Sequence, residues 1–253
     1  MDIAPAALVT GAAIRIGRAI AVDLAGHGWK VVVHYNGSAG PAEETVAAIR
    51  GAGGTAVALQ ADLGDSEAVT ALVPRATAAV GPLTLLVNNA SIFEYDTVAT
   101  TTPAGWNRQI DVNLRAPFFL AQAFAAQLPD AAAEGNIVNL LDQRVWKLSP
   151  YFTSYTVSKA GLWTLTQTMA MALAPRIRVN AIGPGPTLAN IHQKPGQFEQ
   201  QQAATPLGRG ASLDEVTATV RHLLACRSIT GQMIALDGGQ HLPWSPGAAS
   251  LDR

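Results

Sequence analysis

The sequence predicts an α/β protein: one domain built on a doubly wound parallel sheet of about seven strands, with helices on both faces. Three observations carry this reading. Short β-rich apolar runs alternate with longer stretches of helical spacing from the first residues to about residue 236. The strand cores are apolar without interruption, as in Val31-Val32-Val33 and Leu85-Leu86-Val87, the pattern of strands covered on both faces. The conspicuous polar residues fall just after those runs, at the edge where an open parallel sheet binds its ligands.

The elements follow in order. A strand at Ala6–Val9 leads through a Gly-rich turn into a helix over 15–27. Lys30–Tyr35 is the second strand, followed by a helix over 41–51, and Thr55–Gln60 is the third. The helix over 65–80 opens on Asp65-Ser66-Glu67, which supplies an acceptor and a carboxylate to its free first-turn N–H groups. A strand at 83–87 precedes one long helix over 104–128. Strands at 136–141 and 178–182 flank a helix over 153–174, which stops at Ala174-Pro175. Ser212-Leu213-Asp214-Glu215 caps a helix over 213–226, and Met233–Leu236 closes the sheet. Residues 184–212, rich in Gly, Pro and Gln, break the rhythm and read as a substrate loop. The domain is expected to run over 1–242, with 243–253 an irregular tail.

Composition narrows the function. Lys+Arg number 17 and Asp+Glu 18, so charge is only 14% of 253 residues, against about 25% in a typical globular protein. Apolar residues, at 49%, supply a large core. A net charge of −1 gives no general attraction to nucleic acid or to an anionic membrane surface. No apolar run approaches the roughly 18 residues of a membrane helix, and the start lacks the basic segment of a signal peptide. The single Cys226 excludes an intramolecular disulfide. A cytoplasmic protein is expected, without nucleic-acid or membrane partners. The five His residues have no metal-ligand spacing, so no metal is expected.

The chemistry gathers at the strand ends. In Thr10-Gly11-Ala12-Ala13-Ile14-Arg15-Ile16-Gly17 the glycines let the backbone approach a pyrophosphate, and the free N–H groups of the helix bind it. Arg15 is a cation in a first turn, where the dipole disfavours it unless an anion lies nearby; a solvated surface Arg is the alternative. The end of the second strand, His34-Tyr35-Asn36-Gly37-Ser38, has no carboxylate before Glu43. A carboxylate there would hold the ribose 2′-hydroxyl of NAD. With His34, Ser38 and Arg15 as phosphate donors, its absence favours NADP. Tyr155 and Lys159 are spaced i, i+4 and share a helix face. The ammonium is expected to lower the phenol pKa from about 10 toward working pH, as a general acid requires. Asp142 ends the preceding strand.

These motifs together make the chain resemble the short-chain dehydrogenase/reductase family over nearly its whole length. The matching pieces are the Gly-rich turn, Asp62-Leu63, Asn88-Asn89-Ala90, Asn113, Tyr155 with Lys159, Pro184-Gly185 and Leu236-Asp237-Gly238-Gly239. The resemblance implies a Rossmann-type fold. It implies that Asp62 contacts the adenine, that Asn89, Ala90 and Ser91 flank the cofactor, and that Pro184 and Gly185 border the nicotinamide. It also implies Tyr155 as proton donor, Lys159 as ribose holder and Asn113 as anchor of a water in the relay. Arg15 stands where the family usually has glycine, and Asp142 where it usually has a catalytic serine. Both resemble the pteridine reductases of this family, with their TGxxxRxG turn and Asp-Tyr-Lys set. Ser91 and Phe93 then imply pterin contacts, Phe93 by stacking. Arg15 would face both the cofactor phosphates and the polar edge of the pterin.

The expected function is hydride transfer from NADPH to a C=N bond of a dihydropterin-like substrate, with Tyr155 and Asp142 delivering the proton. A carbonyl or imine reductase with a non-pterin substrate is the alternative, and a silent NADP-sensing protein a further one. Arg144, Trp146 and Lys147, beside Asp142, either shape a ligand or pack at a subunit contact; His192 in the loop has no assigned partner. The sparse charge, with two long apolar helices, fits a homotetramer.

Overall fold

The computed structural model describes residues 4–129, 134–189 and 194–242. Seven strands form a single parallel sheet in the order β3-β2-β1-β4-β5-β6-β7. They are β1 (Ala6–Val9), β2 (Lys30–Tyr35), β3 (Thr55–Gln60), β4 (Leu85–Asn88), β5 (Gly135–Leu140), β6 (Ile177–Pro184) and β7 (Met233–Leu236). The helices are α1 (Arg15–Gly26), α2 (Ala39–Gly51), α3 (Ser66–Val80), α4 (Pro103–Ile110), α5 (Ala116–Gln127), α6 (Thr153–Leu173), α7 (Gln197–Ala203) and α8 (Leu213–Ala225).

Alternation along β1 explains the two layers. Ala7 and Val9 face a core with Ile20 and Leu24 of α1, Val46 and Ile49 of α2, and Val216 and Val220 of α8. Ala6 and Leu8 face a second core with Leu72 of α3, Phe124 of α5 and Met169 of α6. Burial on both sides is why the strand sequences lack polar alternation. The order reverses at β1, where β2 lies on one side and β4 on the other, so their carboxyl ends open a crevice.

The long helix expected over 104–128 is in fact three pieces. Between α4 and α5, Asp111–Arg115 forms a π-helical turn. That turn admits one extra residue, a departure that apolar periodicity does not register. Within it Asn113 is fully buried. The Gly- and Gln-rich stretch contains α7, while 190–193, including His192, and the tail 243–253 lie outside the described residues. Both expected caps are present: Asp65 accepts from Glu67 N–H at 2.9 Å, and Ser212 with Glu215 closes a capping box. No helix among the described residues is long and apolar enough to cross a membrane.

Candidate active site

A cavity of about 830 Å³ runs along the carboxyl ends of β1, β2, β3 and β4. Thirteen of the residues expected to bind a cofactor line it: Gly11, Arg15, Ile16 and Gly17 from the turn, His34, Tyr35, Asn36 and Ser38 after β2, Asp62 and Leu63 after β3, and Asn89, Ala90 and Ser91 after β4. The turn is drawn tight against β4. Thr10 Oγ1 accepts from the N–H groups of Asn89 (2.9 Å) and Ala90 (3.0 Å), and Asn89 Nδ2 donates to Thr10 O at 2.8 Å. Gly11 sits at φ +62°, and a Cβ there would stand 2.9 Å from Ala90 Cα. The cap residue of α1, Ile14, offers no side-chain acceptor, so the first-turn N–H groups remain available to a ligand.

Two expected donors have other work. His34 is buried with both ring nitrogens engaged: Nδ1 accepts from Gly11 N–H at 3.1 Å, and Nε2 donates to Ala61 O at 3.1 Å. Burial lowers its pKa to about 4, so it is neutral at pH 7. The reading of His34 as a phosphate donor is therefore corrected: it braces the turn against β3. Arg15, at φ 56°, donates to Ala189 O (2.9 Å) and Leu188 O (3.3 Å). It meets the loop after β6 where the sequence pointed to an anion.

Asp142, Tyr155 and Lys159 come together beside the end of β5. The Tyr155 hydroxyl donates to Asp142 Oδ2 at 3.2 Å, and Lys159 Nζ donates to Leu140 O at 2.8 Å. Burial lowers the Lys159 pKa to about 8. The expectation of a phenol lowered toward working pH is overturned. Burial first, then the Asp142 carboxylate, push Tyr155 well above the ordinary phenol value, against a smaller opposite pull from Arg144. An Asp in place of a serine adds negative charge next to the phenol, and Tyr155 stays protonated at rest.

Asn113 clamps the strap before Phe93. Its Oδ1 accepts from Ile92 N–H at 2.9 Å and from Ser91 Oγ at 3.1 Å, and its Nδ2 donates to Ile92 O at 3.0 Å. Phe93 meets the Tyr155 ring edge-on at 4.7 Å and stacks on Phe152 at 4.3 Å. Pro184 and Gly185 stand at the end of β6, outside the lining of the cavity, with Gly185 N–H bonded to Leu236 O at 3.0 Å.

Of three further neighbours of this group, sequence reasoning left Arg144 between a ligand contact and a subunit contact, and did not identify Phe152 or Asp96. Arg144 donates from Nη1 to Asp142 Oδ2 at 2.9 Å, and its backbone N–H donates to Asp142 Oδ1 at 2.8 Å. Phe152 adopts left-handed geometry (φ 59°, ψ 48°), which strains a bulky residue. Asp96 holds it there: Phe152 N–H donates to Asp96 O at 2.8 Å, and Ser154 Oγ donates to Asp96 Oδ2 at 2.5 Å. A positive φ at a non-glycine leaves no mark in sequence. The i, i+2 spacing of Asp142 and Arg144 was the available signal for the ion pair. Trp146 packs edge-on against Trp163 (6.3 Å) and His241 (5.2 Å), and Lys147 Nζ donates to Gln240 O at 2.9 Å, so this segment is tied to the C-terminal turn.

A family model described as enoyl-(acyl carrier protein) reductase matches residues 11–241. The chain is 34% identical to 3-oxoacyl-(acyl-carrier-protein) reductase FabG of Staphylococcus aureus, over 96% of this chain and 100% of the relative. Among solved structures, FolM alternative dihydrofolate reductase 1 from Brucella canis, complexed with NADP, is 50% identical with a TM-score of 0.92, covering 96% of each chain. A short chain dehydrogenase from Burkholderia cenocepacia J2315, in complex with NADP, is 34% identical with a TM-score of 0.88, over 94% of this chain and 98% of the other. Matches that run from the first glycine of the turn to the C-terminal turn settle the family: this chain belongs to the short-chain dehydrogenases/reductases, with the pteridine reductase-like members among its kin.

Proposed function

We propose that the protein is an NADPH-dependent reductase acting on the C=N bond of a dihydropterin or dihydrofolate-like substrate. The observation that carries this reading is the Tyr155 hydroxyl 3.2 Å from the Asp142 carboxylate, with the Phe93 ring at its edge. A carboxylate only accepts hydrogen bonds. Beside a carbonyl oxygen gaining negative charge it repels; beside a nitrogen gaining a proton it receives the new N–H. The 50% identity to a protein named alternative dihydrofolate reductase supports the same substrate class.

The cavity suits a dinucleotide phosphate. It offers the uncapped start of α1, glycines at the close approach, and Tyr35, Asn36 and Ser38 without a carboxylate at the end of β2. When bound, NADPH supplies the hydride that forms the new C–H bond. Tyr155 gives its proton to the ring nitrogen as the C=N bond opens, turning its hydroxyl away from Asp142. The Lys159 ammonium, 5.8 Å from the Tyr155 ring centre, balances the phenolate left behind. Asn113 fixes the strap that carries Ser91 and Phe93. The protein is proposed to work as a homotetramer in the cytoplasm.

A second reading, carbonyl reduction, is favoured by the 34% identity to a 3-oxoacyl reductase. A spectrophotometric NADPH-oxidation assay over dihydrobiopterin, dihydrofolate, cyclic imines and diketones separates the two. Turnover confined to the pterins and imines is the expected result, and turnover of diketones alone would sink the proposal.

A further inference from the structure

We propose that Arg144 is a positioning residue for the reaction: it fixes Asp142 in the rotamer that accepts from Tyr155 and couples that pair to the aromatic shelf of Phe93 and Phe152. The inference rests on the reading of Asp142 and Tyr155 as the proton-delivering pair.

Asp142 has two carboxylate oxygens, and Arg144 engages both. Its backbone N–H takes Oδ1 at 2.8 Å and its Nη1 takes Oδ2 at 2.9 Å. Oδ2 is also the acceptor for the Tyr155 hydroxyl. One oxygen therefore joins the guanidinium to the phenol, and the carboxylate cannot rotate without breaking two bonds to Arg144. Neither partner is freely solvated: the side chains of Arg144 and Asp142 are 24% and 14% exposed. A charge pair at that depth is screened less than a surface pair, and removing one partner leaves the other charge poorly solvated.

The far side of the guanidinium is braced as well. Its carbon lies 5.2 Å from the ring centres of both Phe93 and Phe152. Those rings stack 4.3 Å apart and within 10° of parallel. Both distances are within cation–π range, so the rings supply attraction as well as packing to the guanidinium. Phe152 is itself held in left-handed geometry by Asp96, so the shelf is rigid. A neutral side chain at 144 keeps the backbone bond to Oδ1 but loses the charged bond to Oδ2, the oxygen that Tyr155 shares. The net charge of the Asp142–Tyr155 site also changes, consistent with the pull of Arg144 against Asp142 on the Tyr155 proton.

The test is a double-mutant cycle on the full chain, with NADPH oxidation measured on the panel above. Arg144→Met should lower kcat about 10- to 100-fold, the scale of a catalytic group displaced by about 1 Å, with KM within about twofold. Arg144→Lys, which keeps the charge, should recover part of the loss. In an Asp142→Ala background the same Met substitution should change kcat less than about threefold, because no side-chain acceptor remains to position. An equal loss in both backgrounds would mean a merely structural role, and a raised KM with kcat intact would mean that Arg144 binds substrate. Either result overturns the proposal. If no pterin or imine is turned over by the unmodified protein, the function reading fails, and the positioning claim is read without turnover. A crystal structure of Arg144→Met, or of Arg144→Gln should the first not fold, should show Asp142 turned away from Tyr155. An unchanged Asp142–Tyr155 contact there would overturn it.

Discussion

At the scale of single residues, the site is organised by where charge is buried. Lys159 is the clearest case: an ammonium under Leu140, its pKa lowered to about 8 by burial. The unfolded chain holds that proton up to about 10.4, so the folded state is penalised below pH 8 and relieved as pH climbs toward 10.4. Lys159→Met removes the penalty along with one hydrogen bond. It should therefore stabilise the fold at pH 7 by on the order of 2 kcal/mol in denaturant unfolding, with turnover lost. The advantage should shrink between pH 8 and 10. A variant less stable than the parent at pH 7 would show that the ammonium is not under strain. The Tyr155 and Lys159 pair was legible in sequence because helical spacing alone puts both on one face. The direction of the Tyr155 shift was not, because it depends on Asp142 arriving from another element at hydrogen-bond distance. His34 was misread for a similar reason: its two partners, Gly11 and Ala61, follow two neighbouring strands.

Among the elements, the turn from β1 to α1 depends on close backbone contact. A Cβ on Gly17 would run into the carbonyl oxygen of Gly11 and crowd Asn89 Nδ2. Overpacking of this kind costs about 1–3 kcal/mol, taken here from the shape of the phosphate-binding turn. Gly17→Ala should weaken NADPH binding at least about tenfold in a fluorescence titration while the protein stays folded; an unchanged Kd would remove the turn from the cofactor site. The strands were readable because burial on both faces leaves continuous apolar runs. The long helix before β5 was not read correctly, since apolar spacing does not register the extra residue of the π turn that brings Asn113 inward. Phe152 and Asp96 escaped notice because a strained backbone and the distant residue that holds it have no local pattern.

For the whole molecule, the sparse charge follows in part from a sheet covered on both faces. The rest lies in helices α5 and α6. The α5 sequence is apolar all round, yet Phe118 and Phe119 are exposed, and Met171 on α6 is 76% exposed. Helices of that kind are normally covered, and a second copy of the chain is the expected cover. Light scattering should give a mass near four times 26.3 kDa, and a 26.3 kDa species at micromolar concentration would contradict that expectation. The proposed activity turns on the carboxylate beside the phenol. The decisive measurement is NADPH oxidation by Asp142→Ser beside the unmodified enzyme, with dihydropterin and diketone substrates. Loss of pterin reduction with a gain of ketone reduction, each about tenfold or more, is the predicted result. Unchanged selectivity between the two substrates would contradict a carboxylate-directed reduction of C=N.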